Sequence, residues 1–215
     1  MNTTNTILKN MTSLSLLKSE GYLELIIGPM YSGKTSKLLE IYKQCKFCDI
    51  SVCVINHSLD KRYHDSMLSS HDKIMIPCIN VENLHNLWFN NCEIDLIEYA
   101  DKTNHNLIRN SDVVLINEGQ FFNGLYDVVK DMLKNNKFVY VCGLDGDFER
   151  KKFGEILDLI PLCDKVTKMT SLCSFCKNGT HGIFSMRISN EKEQTVIGSE
   201  NYLPVCRNCY DTKNK

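Results

Sequence analysis

A parallel, doubly wound α/β sheet carrying a small metal-binding unit at its C-terminal end is the fold class this sequence predicts, on three observations. Several short runs, Val113-Val114-Leu115-Ile116 among them, are apolar throughout rather than alternating, as strands covered on both faces should be. Helical patterns lie between several of these runs. Near the end, two Cys-x2-Cys pairs flank a polar, glycine-containing segment in which helical periodicity is lost.

Taken in order, residues 1–20 are rich in Asn, Thr, Ser and Lys without a sustained period and read as a flexible arm. Tyr22 to Ile27 reads as a strand, and Ser36 to Phe47 as a helix with Leu38, Leu39, Ile41 and Tyr42 on one face. Further strands are expected at Ser51–Asn56, Lys73–Cys78, Asp112–Asn117 and Phe138–Gly143. Val81, Leu84, Leu87 and Trp88 fall at helical spacing, and Ile94, Ile97 and Tyr99 extend the apolar pattern toward the polar stretch Asp101–Asn106, a helix and loop covering the sheet. The expected division is an α/β unit over 21–164, a metal-binding unit over 165–211 and a tail over 212–215.

A chain of 215 residues suits one α/β domain plus such an appendage, and 43% hydrophobic residues supply a real core. A formal charge of −1 argues against a protein whose main task is to neutralise nucleic-acid phosphates, so any anion must be held locally. No run is long and apolar enough to span a membrane, and the start lacks a basic leader before an apolar stretch, so a cytoplasmic location is expected. In that reducing setting the eleven cysteines serve as metal ligands, nucleophiles or small core residues rather than as staples.

Gly28-Pro29-Met30-Tyr31-Ser32-Gly33-Lys34-Thr35 fits G-x-x-x-x-G-K-[ST], placed after a strand and opening a helix. Glycines let the backbone curl so that N–H groups converge on phosphate oxygens, the helix N-terminus adds its positive dipole end, and Lys34 brings a full charge to the β/γ-phosphates. Thr35 offers a hydroxyl to Mg2+. A plain glycine-rich turn is the competing reading. Glu118, at the end of the strand leading into Gly119-Gln120-Phe121-Phe122, sits where open α/β sheets bind ligands and can take a proton from an attacking hydroxyl; a solvated loop glutamate is the alternative.

Cys173-x2-Cys176 and Cys206-x2-Cys209 have the knuckle spacing that lets four thiolates close a tetrahedral structural Zn2+ site, with redox-active or unligated thiols as the alternative. Cys45-x2-Cys48 shares the spacing but has no second pair nearby and reads as helix-end thiols. The six histidines show no ligand spacing.

A loop reading GPMYSGKT, a strand ending in NEGQFF, the stretch LDGDFERKKFG and the paired Cys-x2-Cys motifs occur in this order. Together they closely resemble the type II thymidine kinases of animals, bacteria and large DNA viruses, over about Tyr22 to Tyr210. The resemblance implies a zinc-held lasso loop over the nucleoside and transfer of the γ-phosphate of Mg·ATP to the 5′-hydroxyl of deoxythymidine, with deoxyuridine as the candidate second acceptor. It also implies a homotetramer, feedback inhibition by dTTP, and no nucleic-acid or membrane partner.

Carried over residue by residue, Gly28 to Thr35 hold the donor phosphates, Glu118 is the base, and Asp60 and Arg62 match the family's D-x-R motif near the phosphates, with Asn117 and Gln120 on the cofactor side. Met30, Phe121, Leu144, Phe148 and Phe153 resemble the walls of the thymidine pocket, Ser185 the family's pocket threonine. Gln194, Thr195, Val196, Ile197, Gly198 and Tyr202 resemble the segment that holds the base. The chain departs from the family at Asn117, where Asp is usual, and in a longer stretch between Asp60 and Asn117. A P-loop ATPase driving a zinc-ribbon nucleic-acid-binding module is the rival from another class; the neutral charge counts against it.

Overall fold

Strand β1 (Tyr22–Ile27) lies inside the main sheet, paired in parallel with β7 (Phe138–Gly143) on one side and β8 (Lys165–Lys168) on the other. With β2 (Val52–His57), β5 (Ile79–Val81) and β6 (Val113–Ile116), these strands form a six-stranded parallel sheet in the order β5-β2-β6-β7-β1-β8. The computed structural model describes residues 20–60, 67–69, 74–89, 99–196 and 198–213. Residues 1–19 of the expected arm, Arg62, Ile94, Ile97, Ile197 and the last two residues of the tail lie outside them.

The unalternating strands divide their side chains between two cores. On β6, Val114 and Ile116 join one buried cluster and Val113 and Leu115 the other; on β7, Val139 and Val141 face the first and Phe138, Tyr140 and Cys142 the second. Helix α1 (Lys34–Phe47) covers the second cluster through Leu38, Leu39, Ile41 and Cys45. The first is covered by α2 (Leu84–Phe89), by Ile108 of α3 (Tyr99–Asn110), and by Leu125, Val128, Val129 and Met132 of α4 (Leu125–Lys134). Each such side chain contributes about 1.5–3 kcal/mol when fully buried, so both faces of the sheet hold the helices in place. Trp88 ties the three helices on the first face together: its indole Nε1 donates to Asp131 Oδ2 at 2.8 Å, and the Arg109 guanidinium stacks 3.7 Å from its ring.

Three elements differ from expectation. The run expected as a strand of the main sheet over Lys73–Cys78, of which Lys73 lies outside the described residues, instead holds β4 (Met75–Pro77), which pairs antiparallel with β3 (Met67–Ser69), while the parallel edge strand begins at Ile79. Pro77 has no N–H to donate, and the ladder changes partner beside it. Asp101–Asn106, expected as loop, is helical within α3; Lys102, Thr103 and Asn106 are exposed while Ile108 is buried. Lys165–Lys168 belongs to the sheet as edge strand β8, where Val166 stays 42% exposed and leaves little apolar signal.

After β8 come two short antiparallel ladders, β9 (Ser171–Leu172) with β10 (His181–Gly182) and β11 (Phe184–Arg187) with β12 (Tyr202–Val205), then α5 (Arg207–Lys213). They enclose a separate small core of Cys173, Met186, Val205, Cys206, Cys209 and Tyr210. The Tyr210 hydroxyl donates to Phe148 O at 2.5 Å and Arg150 pairs with Asp211 at 2.7 Å, docking this unit on the loop that follows β7. Among the described residues no helix is long and apolar enough to cross a membrane.

Candidate active site

The loops leaving the C-terminal edge of β1, β2, β6 and β7 converge with the segment between β11 and β12 on one cavity of about 330 Å3. Such an edge is where open parallel sheets collect ligand-binding loops. Residues Met30 to Ser36 form one wall. Gly33, at φ 83°, caps α1, and Lys37 N donates to Gly33 O at 3.0 Å, so the helix begins inside the loop. Gly28 has φ 154°, and a Cβ there would lie 2.4 Å from the Met169 carbonyl oxygen, which excludes any side chain where the loop leaves β1. Lys34 Nζ donates to Pro29 O at 2.7 Å and to Ser32 Oγ at 3.4 Å, holding the ammonium over the loop's own main chain. Converging N–H groups, a helix N-terminus and a lysine make an anion cradle.

Glu118 opens the turn after β6 with φ 54° and ψ 43°, a left-handed conformation that costs a residue with a Cβ about 1–2 kcal/mol. That twist turns its carboxylate into the cavity wall, where Gln120 Nε2 donates to Glu118 Oε2 at 2.6 Å. The Gln120 Oε1 accepts Leu144 N–H at 2.9 Å, so one side chain fixes both the carboxylate and the start of the loop after β7. Asp60 reaches the cavity from the loop after β2. With Thr35 it supplies hard oxygen donors beside the phosphate cradle, a donor set that suits Mg2+.

The remaining wall is largely apolar: Met30, Phe121, Leu144, Phe148, Phe153 and Val196. Phe121 and Phe153 meet edge to face with centroids 5.5 Å apart. Ser185 Oγ accepts Met30 N–H at 2.9 Å, which ties β11 to the phosphate loop. Gln194, Thr195, Gly198 and Tyr202 complete the rim. An aromatic slot with main-chain groups at its edge suits a flat heterocycle.

Of the residues expected from the sequence, three described ones do not line this cavity: Gly28, Pro29 and Asn117. The first two shape the loop from behind. Asn117 is 1% exposed, donates through Nδ2 to Asn56 Oδ1 at 2.8 Å and accepts from Cys142 Sγ at 2.9 Å, so its amide is engaged beneath the site rather than in it. Residues not singled out from the sequence also line it, notably Asp147 and Glu200. Asp147 Oδ1 accepts the N–H groups of Glu149 and Lys151, each at 2.9 Å, and Oδ2 accepts Gln194 Nε2 at 2.7 Å. Asp147 lies within LDGDFERKKFG, but its reach to Gln194 is tertiary. Behind Phe121, His57 is 3% exposed, with Phe122 at 4.7 Å, and Leu59 N–H donates to its Nδ1 at 3.1 Å. Burial lowers its pKa below the usual 6.5, against the opposing pull of Glu82 and Glu118.

The four cysteines of the C-terminal pairs come together with all sulfurs within 4.8 Å of one another. An ion bonded to four thiolates at about 2.3 Å sets the sulfurs roughly 3.8 Å apart. Cys176 Sγ lies 3.8 Å from Cys206 Sγ and 3.5 Å from Cys209 Sγ, so the cluster fits a tetrahedral zinc. Burial opposes ionisation of Cys173, but backbone amides of Cys176, Cys206 and Phe175 overcome it and bring the thiol down to about 6. Thiolates are the form that binds metal.

The family model described as "Thymidine kinase" matches residues 21–210. The thymidine kinase of Sheeppox virus is 37% identical over 191 residues, covering 88% of this chain and 97% of that protein. That of Yaba monkey tumor virus is 38% identical over 191 residues, covering 88% and 94%. The "Thymidine kinase, cytosolic" of Bos taurus is 33% identical over 207 residues, covering 96% of this chain and 79% of its own length. The chain belongs to the thymidine kinase family.

Proposed function

We propose that this chain phosphorylates the 5′-hydroxyl of deoxythymidine with the γ-phosphate of ATP. The observation that carries the reading is that a phosphate cradle, the Glu118 carboxylate and an aromatic slot all line one cavity. The phosphate loop binds the donor, with Lys34 offsetting charge that builds on the transferring group. Phe121, Phe153, Leu144 and Met30 hold the pyrimidine, and Gln194, Thr195, Val196, Gly198 and Tyr202 close over it as a lasso. Glu118, fixed by Gln120, orients the acceptor hydroxyl and takes its proton as the new O–P bond forms and the bond from the γ-phosphorus to the bridging oxygen breaks, releasing ADP. Thr35 and Asp60 would hold Mg2+, which when bound supplies positive charge to the phosphates.

Zinc on Cys173, Cys176, Cys206 and Cys209 would be structural, since four thiolates leave no open position. A doubly wound sheet, a homotetramer, inhibition by dTTP and a cytoplasmic location belong to the same reading, supported by family membership. The test is ATP-dependent phosphorylation across the four natural deoxynucleosides and deoxyuridine. Thymidine should have the highest kcat/KM; a strong preference for a purine or for deoxycytidine would overturn the assignment of acceptor.

A further inference from the structure

The segment from Ile188 to Thr195 carries almost no core of its own. Ile188 is 52% exposed, and Asn190 to Thr195 are exposed as well. A loop of that kind loses conformational entropy on ordering without recovering it through apolar burial. Three of its residues or their neighbours nevertheless form part of the cavity wall: Gln194, Thr195 and Val196.

Beyond the Gln194 amide bond to Asp147 Oδ2, the loop's main chain is gathered by Arg187. Arg187, at the end of β11, is 7% exposed and aims its guanidinium into the loop. Its Nη1 donates to Glu191 O at 3.0 Å and Glu193 O at 2.5 Å, and its Nη2 to Gln194 O at 3.0 Å and to the Tyr202 hydroxyl at 2.5 Å. The Tyr202 hydroxyl in turn donates to Val196 O at 3.2 Å. The guanidinium carbon also lies 3.7 Å from the centroid of Phe148, a wall of the aromatic slot. Arg187 Nε is buried without an acceptor among the described residues. An unpaired buried donor is costly, so the side chain is poorly placed for its own stabilisation and well placed for the loop.

We propose that Arg187 is the positioning residue of nucleoside binding: by collecting the loop carbonyls and stacking on Phe148 it sets the lasso and the slot at once. This rests on the nucleoside reading of the cavity. Arg187 does not line the cavity, so it acts through Gln194, Val196, Tyr202 and Phe148 rather than by touching substrate. Lysine cannot replace it, because one ammonium nitrogen cannot span carbonyls that here need two nitrogens in a plane, and it does not stack.

The test compares the full chain with Arg187→Met and Arg187→Lys, measuring KM for thymidine and ATP, kcat, zinc content, thermal midpoint, and cleavage at Glu191 and Glu193 by a glutamate-specific protease. In both variants thymidine KM should rise about tenfold or more, as loss of a charged hydrogen-bond network implies. The kcat at saturating thymidine and the ATP KM should stay within about threefold. Zinc should be retained, and cleavage should accelerate and be suppressed by thymidine. A wild-type thymidine KM in Arg187→Met overturns the proposal, as does rescue by Arg187→Lys. So does a rise in both KM values together with loss of zinc and a lower thermal midpoint, which marks a merely structural role. Protease sensitivity needs no substrate: if wild type ignores thymidine while the variants open at Glu191 and Glu193, the acceptor assignment fails and the loop clamp stands.

Discussion

Gln120 donates its side-chain amide to the Glu118 carboxylate at 2.6 Å while accepting the Leu144 N–H at 2.9 Å, so the orientation of Glu118 is coupled to the loop that forms one side of the aromatic slot. The fit is close, since a Cβ on Gly143 would lie 2.3 Å from Gln120 Oε1. Gln120→Leu keeps the volume and removes both bonds. A hydrogen bond to a charged group contributes about 1.5–3 kcal/mol, part of which here fixes geometry, so kcat should fall roughly tenfold. Glu118→Gln, which removes the proposed base, should cost about 10²–10⁴-fold. Steady-state kcat for the two variants checks the order; a Gln120→Leu enzyme with wild-type kcat would mean that Glu118 is held by other contacts.

Removing the metal should separate the small unit from the sheet. The reduced chain should carry close to one zinc, and Cys206→Ser should lose it. Cys206 and Cys209 share a core with Tyr210, whose hydroxyl holds Phe148 O, so the first effect should be a higher thymidine KM. Unfolding of the α/β core, whose clusters lie apart from the cysteines, should come later. Elemental analysis beside thymidine KM decides it. Zinc-free wild-type protein with unaltered KM would show that the cysteines need no ion.

These features were unequally visible in the sequence. The bounds of β1 and β7 could be read directly, because strands buried on both faces are apolar along nearly their whole length, Glu24 being the one charged residue in the two. The phosphate loop and the four cysteines were legible because their chemistry fixes a local spacing. Strand β8 was not, since an edge strand with exposed Lys165, Val166 and Lys168 has little hydrophobic pattern. Nor was Arg187, a charged residue buried by carbonyls four to seven positions away, which leaves no periodic trace. Asp147 falls in the same class, its link to Gln194 spanning 47 positions.

His57 should make stability sensitive to mild acid. Its Nδ1 accepts the Leu59 N–H, so the neutral ring carries its proton on Nε2, and burial lowers its pKa below 6.5. A base with a depressed folded pKa contributes stability that is full above its unfolded value and lost as pH falls through the folded one. Stability should therefore decline as pH drops below about 6.5, where the unfolded chain takes up the proton first. Protonation also displaces the Leu59 contact and loosens the turn that carries Asp60. Denaturant unfolding from pH 8 downward should show a shallower decline for His57→Gln than for wild type; parallel curves would remove His57 as the cause.

Asn117 is where the chain leaves the family pattern, and its surroundings explain why an amide suits it. It is 1% exposed and uses both ends of its side chain, Nδ2 to Asn56 Oδ1 at 2.8 Å and Oδ1 from Cys142 Sγ at 2.9 Å. Asn117→Asp keeps the shape but sets a carboxylate oxygen against Asn56 Oδ1, leaving a buried charge with a weak thiol donor until the Asn56 amide turns over. A poorly satisfied buried group costs about 1–3 kcal/mol. In a chain of this size each kcal/mol lowers the thermal midpoint by about 2–4 °C, so the variant should melt roughly 5 °C lower. A competing effect pulls the other way, because a carboxylate reaching the waters of a bound Mg2+ would accept charge-assisted hydrogen bonds about twice as strong as neutral ones. Since residue 117 lies off the cavity wall, the stability cost should dominate and the Mg2+ concentration for half-maximal rate should stay the same. Thermal melts and Mg2+ titrations at fixed ATP separate the two effects. A lower Mg2+ midpoint with an unchanged melting temperature would show that the side chain at 117 swings into the cavity when nucleotide is bound, and that the asparagine weakens metal retention.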